Sequence, residues 1–136
     1  MILADASAWI EYDRATNSPS DRILNDLIET GGADLACTEP VLMEVLAGAR
    51  DETRQANLRR LLTSFAWLSV ESATDFAGAA KVYGACRRAG ISPRGLLDCM
   101  IAAIALRSGA QILSPDRDFA AMATVLPLRL AAPSVD

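Results

Sequence analysis

Histidine is absent from the 136-residue chain. Its absence excludes Ser-His-Asp and Cys-His catalysis, HExxH zinc sites and any imidazole general base. No GxGxxG run occurs, and none of the form GxxxxGK followed by Ser or Thr, so nucleotide-binding folds lack their phosphate-cradling signature. Lysine is nearly missing as well, since Lys81 stands alone among 13 cationic side chains and the rest are arginine. Cysteine is scarce: Cys37, Cys86 and Cys99 are odd in number, show no CxxC spacing and sit in apolar stretches, where Cys behaves as a small hydrophobe. Aromatics amount to two Trp, two Tyr and three Phe, which argues against an all-β sandwich. Asp5 breaks the only apolar run at the N-terminus, and no run of about eighteen apolar residues follows. Neither a signal peptide nor a membrane span is expected, and a reduced, cytoplasmic setting follows. The net charge of −4 speaks against a nonspecific nucleic-acid coat, although divalent ions can bridge acids to phosphates.

What is present is aliphatic, with apolar residues at 51% and dominated by Ala, Leu, Ile and Val. That is the material of packed helices and buried parallel strands. The length suits a single domain over residues 1–136, able to bury roughly two-thirds of its unfolded surface. Ile2-Leu3-Ala4 reads as a buried strand. Ser18-Pro19-Ser20-Asp21 reads as a cap, a first-turn proline and a capping-box acid, before a stripe of Leu24, Leu27 and Ile28 that stops at Gly31-Gly32. Leu35-Ala36-Cys37 is a second strand, and Thr38 caps a helix through Val41, Leu42, Val45 and Leu46 that ends near Gly48. A polar helix from about Glu52 turns Leu58, Leu61, Leu62 and Phe65 inward. Leu68-Ser69-Val70 is a third strand. Ser72 begins an amphipathic helix with Ala73, Phe76, Ala77, Ala80 and Tyr83 on one face. Ser92-Pro93 opens an almost wholly apolar helix closed by Gly109. Ala110 to Leu113 is a fourth strand, and Leu128-Arg129-Leu130 a weaker fifth. Strands alternating with helices predict an α/β fold with a parallel sheet of four to five strands and helices on both faces, with ligands beyond the carboxyl ends of the strands.

Four carboxylates stand where carboxylates are costly. Asp5 directly follows the first strand and Asp116 follows the fourth, and each also has the position of a helix N-cap. Glu44 lies within Val41-Leu42-Met43-Glu44-Val45-Leu46 with no cation three or four residues away. Asp98 interrupts Leu96-Leu97-Asp98-Cys99-Met100-Ile101, where an ionised acid costs several kcal/mol unless paired or coordinating. An ion pair with Arg94 four residues earlier would return only about 0.3–0.5 kcal/mol. If the four converge, each pair at about 6 Å repels by about 2.8 kcal/mol at an effective dielectric of 20. A divalent cation relieves that repulsion, and carboxylate-only ligation favours Mg²⁺ or Mn²⁺ over Zn²⁺.

Four segments in order carry a resemblance that covers the chain: Leu3-Ala4-Asp5-Ala6-Ser7, Glu39-Pro40-Val41-Leu42-Met43-Glu44, Leu97-Asp98-Cys99-Met100-Ile101-Ala102-Ala103, and Ile112-Leu113-Ser114-Pro115-Asp116-Arg117-Asp118-Phe119. Together they resemble the PIN domain, and more narrowly the VapC-type toxins of bacterial toxin–antitoxin pairs. The resemblance implies a PIN-like α/β/α sandwich and metal-dependent endonucleolytic cleavage of RNA. Asp5 and Asp98 match the principal metal ligands, Glu44 and Asp116 the remaining catalytic acids, and Asp118 an auxiliary acid. Ala6 stands where the family often has Thr or Ser, but Ser7 keeps the usual hydroxyl. A homodimer and a cognate antitoxin covering the site are implied too. The stripes at Leu24, Leu27 and Ile28 and at Leu42 and Leu46 offer a groove for an antitoxin helix. Arg14, Arg94 and Arg117 are candidate phosphate contacts at the rim. A receiver-like Mg²⁺-binding phosphoacceptor domain would need an acid beside Asp5 and a lysine ending the last strand, and the chain has neither. A noncatalytic PIN-like binding module is the remaining alternative, against which the intact acid set weighs.

Overall fold

The computed structural model describes residues 1–131. Four short parallel strands form its sheet: β1 (Ile2–Ala4), β2 (Leu35–Cys37), β3 (Ala66–Trp67) and β4 (Gln111–Leu113). Their order is β3-β2-β1-β4, with Ile2 opposite Leu35 on one side and opposite Gln111 on the other. The chain steps outward from β1 to β3, then returns on the other side of β1. The sheet order therefore reverses between β1 and β4, and this is where open α/β sheets leave a crevice for ligands.

Seven helices are described: α1 (Ala6–Asp13), α2 (Pro19–Glu29), α3 (Glu39–Ala47), α4 (Glu52–Leu62), α5 (Ser72–Arg88), α6 (Leu96–Ser108) and α7 (Arg117–Ala123). Local chemistry sets their ends. Ser18 accepts a hydrogen bond from the Asp21 N–H, as a cap should, and the Asp21 carboxylate reaches back to the N–H of Asn17, one residue beyond the cap itself. Gly109 ends α6 with φ +71°, a conformation in which a side chain is strained. One core joins the layers: Leu3, Leu35 and Ile112 of the sheet pack with Trp9, Val41 and Ile101 of the helices. Trp9 stacks on Phe65 at 5.7 Å between centroids, and Phe65 lies so close to Gly32 that an added Cβ would fall 2.6 Å from its ring.

Several sequence expectations need correction. The third strand is Ala66–Trp67, not Leu68–Val70. Leu68 still donates to the Cys37 carbonyl, but the Val70 N–H is claimed by the Glu39 carboxylate at 2.7 Å, which draws the chain off the sheet. Leu128–Leu130 adds only one parallel bridge, Ile112 to Leu130. Helix α6 begins at Leu96 with Gly95 as its cap, so Ser92-Pro93 belongs to the preceding loop and Asp98 falls in the first turn. Helix α5 turns the other way: Asp75, Ala79, Val82 and Cys86 face inward, while Phe76 is 63% exposed. Asp75, only 1% exposed, is drawn in by Arg107 of α6, whose guanidinium meets both carboxylate oxygens at 2.9 Å. Hydrophobic periodicity cannot see a charged residue on an inner face. Leu24 is fully buried and Leu46 only 8% exposed, so both serve the core and not a groove.

Candidate metal centre

Asp5 ends β1 and caps α1, so its carboxylate stands at the carboxyl edge of the sheet, 4% exposed. It accepts from the Ala8 N–H at 2.9 Å, from the Ser7 hydroxyl at 2.8 Å to each oxygen, and from the Ser114 hydroxyl at 2.7 Å. Ser114 directly follows β4, and the Asp5 N–H donates to the carbonyl of Leu113 at 3.0 Å. The two strand ends are thus joined through both backbone and side chains.

Asp116 caps α7, its Oδ1 accepting from the Asp118 N–H at 2.9 Å. Carboxylate oxygens of Asp98, Asp116 and Asp118 all lie within 4.8 Å of one another. Asp98 arrives in the first turn of α6, where the positive end of the helix dipole favours an anion. Its carboxyl is nevertheless pushed up to about 6, by burial first and then by the charges of Asp116, Asp5 and Asp118. Glu44 on α3 is raised by burial and then by the charges of Asp98 and Asp5. Burial also raises Asp5, against the pull of its three hydrogen-bond donors, with Asp116 adding to the rise. Of the four expected acids Asp98 and Asp116 share one group, and Asp118, which the sequence marked only as auxiliary, completes it. Asp5 lies outside this trio and is joined to it through Ser114, whose hydroxyl meets both Asp5 and the Asp116 N–H.

The candidate rim arginines separate. Arg94 does not pair with Asp98; its backbone N–H and guanidinium approach Asp118, at 3.3 and 3.8 Å. Arg117 is exposed beside Asp116. Arg14 caps the far end of α1, about 12 Å along the helix from Asp5, and does not border the acids. Sequence reasoning missed Ser114, whose only signal is a hydroxyl two residues before an acid. A set of carboxylate oxygens gathered at a sheet's switch point, with no nitrogen or sulfur donor, fits a hard divalent cation.

Comparisons with known proteins give the family and the fold. Residues 2–125 match the family model of the PIN domain. The chain is 43% identical over 132 residues to the VapC ribonuclease Mb1587 of Mycobacterium bovis, covering 97% of this chain and 98% of the relative. Ribonuclease VapC11 of Mycobacterium tuberculosis matches with the same identity and coverage. Among solved structures, VapBC2 of Rickettsia felis bound to a promoter DNA fragment shares the fold with a TM-score of 0.74 at 18% identity, over 96% of this chain and 98% of that one. The sarcin-ricin-loop-cleaving VapC20 of Mycobacterium tuberculosis does so with a TM-score of 0.67 at 17% identity, over 95% and 99%. Ribonucleases of this family are metal-dependent. Among the described residues no helix is long and apolar enough to cross a membrane. The chain belongs to the PIN-domain family, among its VapC-type endoribonucleases.

Proposed function

We propose that this chain hydrolyses RNA phosphodiester bonds as the toxin of a toxin–antitoxin pair, with Asp5 and Asp98 as principal ligands of a Mg²⁺ or Mn²⁺ ion and Glu44 and Asp116 as the acids that serve the attacking water. The observation that carries the reading is the gathering of Asp98, Asp116 and Asp118 within 4.8 Å, tied to Asp5 through Ser114, in a chain without histidine. When bound, such an ion supplies positive charge that eases deprotonation of water and offsets charge on the departing 3′-oxygen.

The remaining roles belong to the side chains. Three donors hold Asp5 in place, the Ser7 hydroxyl facing both of its oxygens. Glu44, with its raised proton affinity, is suited to orient the water and accept its proton at a carboxylate oxygen. Asp116 shares that task, and Asp118 holds the backbone of Arg94 at the rim. Arg94 and Arg117 are placed to meet flanking phosphates, for which a planar guanidinium is suited.

An antitoxin partner is supported by the VapBC complexes among the structural relatives. A groove of about 680 Å³ between α1, α3 and α4, lined by the 39% exposed Ile10 together with Asp13, Arg14, Arg50 and Arg54, suits a segment that carries both apolar and charged side chains. An arginine of the partner would also find charge-assisted bonds among the acids. The homodimer rests on the family resemblance. The three buried thiols suit a reducing cytoplasm, and the unit that carries the activity is the whole chain, 1–136.

The test is brief induction in a heterologous bacterium with sequencing of RNA 5′ ends, with and without the short gene expected beside this one. New 5′ ends and growth arrest that need Asp5 and Asp98, and that the neighbour reverses, support the reading. Arrest that persists in Asp98→Asn, without new 5′ ends, overturns it.

A further inference from the structure

We propose that Ser114 is a positioning residue, whose hydroxyl holds Asp5 and Asp116 in one fixed relation and so sets how tightly the centre takes a divalent cation. It rests on the reading of the acids as a cation site, and it concerns what keeps that site in shape.

A serine hydroxyl has one proton and two lone pairs. Here the proton goes to Oδ2 of Asp5 at 2.7 Å, and the oxygen accepts the backbone N–H of Asp116 at 2.9 Å. Ser7 lies 3.3 Å away, but its own proton already faces both oxygens of Asp5. Among the described residues Ser114 is therefore the hydroxyl whose bonds reach both Asp5 and Asp116. Asp116 is held at two points, its N–H by Ser114 and its Oδ1 by the N–H of Asp118. A chain of bonds runs from the end of β1 through Ser114 to the cap of α7.

The two other acids differ. Among the described residues neither Asp98 nor Glu44 accepts a side-chain hydrogen bond, and each comes from a separate helix. The centre thus has a tethered half, Asp5 with Asp116 and Asp118, and a free half, Asp98 with Glu44. Asp98 stands within 4.8 Å of Asp116 and Asp118 against their mutual repulsion, and only the tethered half is fixed in place by hydrogen bonds. Removing the tether lets Asp5 and Asp116 relax apart. Loss of such supporting hydrogen bonds typically weakens metal affinity about 10–100-fold.

The experiment is a Mn²⁺ titration of the full-length protein, followed by calorimetry and by thermal shift, for the wild type, Ser114→Ala, Ser114→Thr, Ser114→Val, Asp98→Asn, Asp116→Asn and the double variant Ser114→Ala/Asp116→Asn. Ser114→Ala should raise the Mn²⁺ Kd about 10-fold or more, and Ser114→Thr should bring it back to within about threefold of wild type. The double variant should lose less than the two single losses combined, because both changes act on Asp116. Thr and Val have nearly one shape and differ in the hydroxyl, so their comparison decides the matter even if Ser114→Ala fails to fold. Wild-type Mn²⁺ affinity in Ser114→Ala and Ser114→Val, with the affinity of Asp98→Asn weakened, would overturn the role of Ser114 and leave the cation site standing. Strict additivity with Asp116→Asn overturns the bridging role. A wild type that binds no Mn²⁺ removes the cation site and this proposal together.

Discussion

Ser114 and Asp5 are joined by a 2.7 Å hydrogen bond that closes the ends of β4 and β1 onto one carboxylate. The bond sits where the strand order reverses, and the other acids assemble around it. Negative charge gathered in this way costs folding stability until something positive arrives, and that cost is open to measurement.

Neutralising one acid relieves the strain. Asp98→Asn should raise the melting temperature of the metal-free protein or leave it unchanged, whereas most substitutions of half-buried side chains lower it. Mn²⁺ at a hundredfold excess over its Kd should stabilise the wild type by about 2.7 kcal/mol, and Asp98→Asn by clearly less. Thermal shifts with and without Mn²⁺ give both numbers, and equal metal shifts in the two proteins would argue that Asp98 is no ligand.

The same acid predicts a pH dependence. The Asp98 carboxyl is raised in the folded state from its ordinary 3.8 to about 6. The folded chain then holds the proton more tightly than the unfolded chain, so this contribution is fully present below about pH 4 and is lost as pH rises through about 6. Cation binding needs the ionised form, so Mn²⁺ affinity should rise over that interval. Titrating Mn²⁺ affinity from pH 5 to pH 7.5 checks the direction in the wild type, and Asp98→Asn should flatten the curve.

A remote ion pair should behave in the opposite sense. Arg107 holds the buried Asp75 well below the usual carboxylate range, so that pair stabilises above the ordinary carboxylate pKa and fails as pH falls through the lowered folded value. Asp75→Ala leaves Arg107 with only Glu71 and the Ser69 carbonyl and frees the Glu71 N–H, at a cost of about 3 kcal/mol. Denaturant unfolding measures this, and Mn²⁺ affinity should not change. A loss of metal affinity equal to that of Asp98→Asn would mean that α5 and α6 set the site more directly than described.

The groove between α1, α3 and α4 offers a separate handle. Ile10→Glu replaces its exposed apolar side chain by a charge and should weaken antitoxin binding at least tenfold, about 1.4 kcal/mol or more. Mn²⁺ affinity should stay at the wild-type value. Unchanged partner binding in calorimetry would move the antitoxin to another face.

Much of the fold and of the acid cluster is legible in the order of residues, for physical reasons. Asp98 stands out because an acid in an apolar helix demands an explanation, and Asp5 and Asp116 because they end strands on the edge where parallel sheets bind ligands. Alternating strands and helices predict the layering, and Ser18-Pro19 and Gly109 mark helix ends through their own backbone chemistry.

What stays hidden is set by partners distant in sequence. Asp75 reverses the face of α5 because Arg107, 32 residues on, waits for it. Val70 leaves the sheet because Glu39, 31 residues earlier, takes its N–H. Ser114 reads as an ordinary turn residue until Asp5, 109 residues away, is seen to accept its proton. Asp118 resembles a common surface pair with Asp116, and only the folded chain brings Asp98 to both.

The most direct test is cleavage of a defined RNA by the purified protein, wild type against Asp98→Asn, with Mg²⁺ or Mn²⁺ and with EDTA. Cleavage by the wild type that needs the divalent ion, stops in EDTA and falls at least a hundredfold in Asp98→Asn, about 2.7 kcal/mol of transition-state stabilisation, is the predicted result. Undiminished cleavage in EDTA, or an Asp98→Asn variant as active as the wild type, would contradict the account.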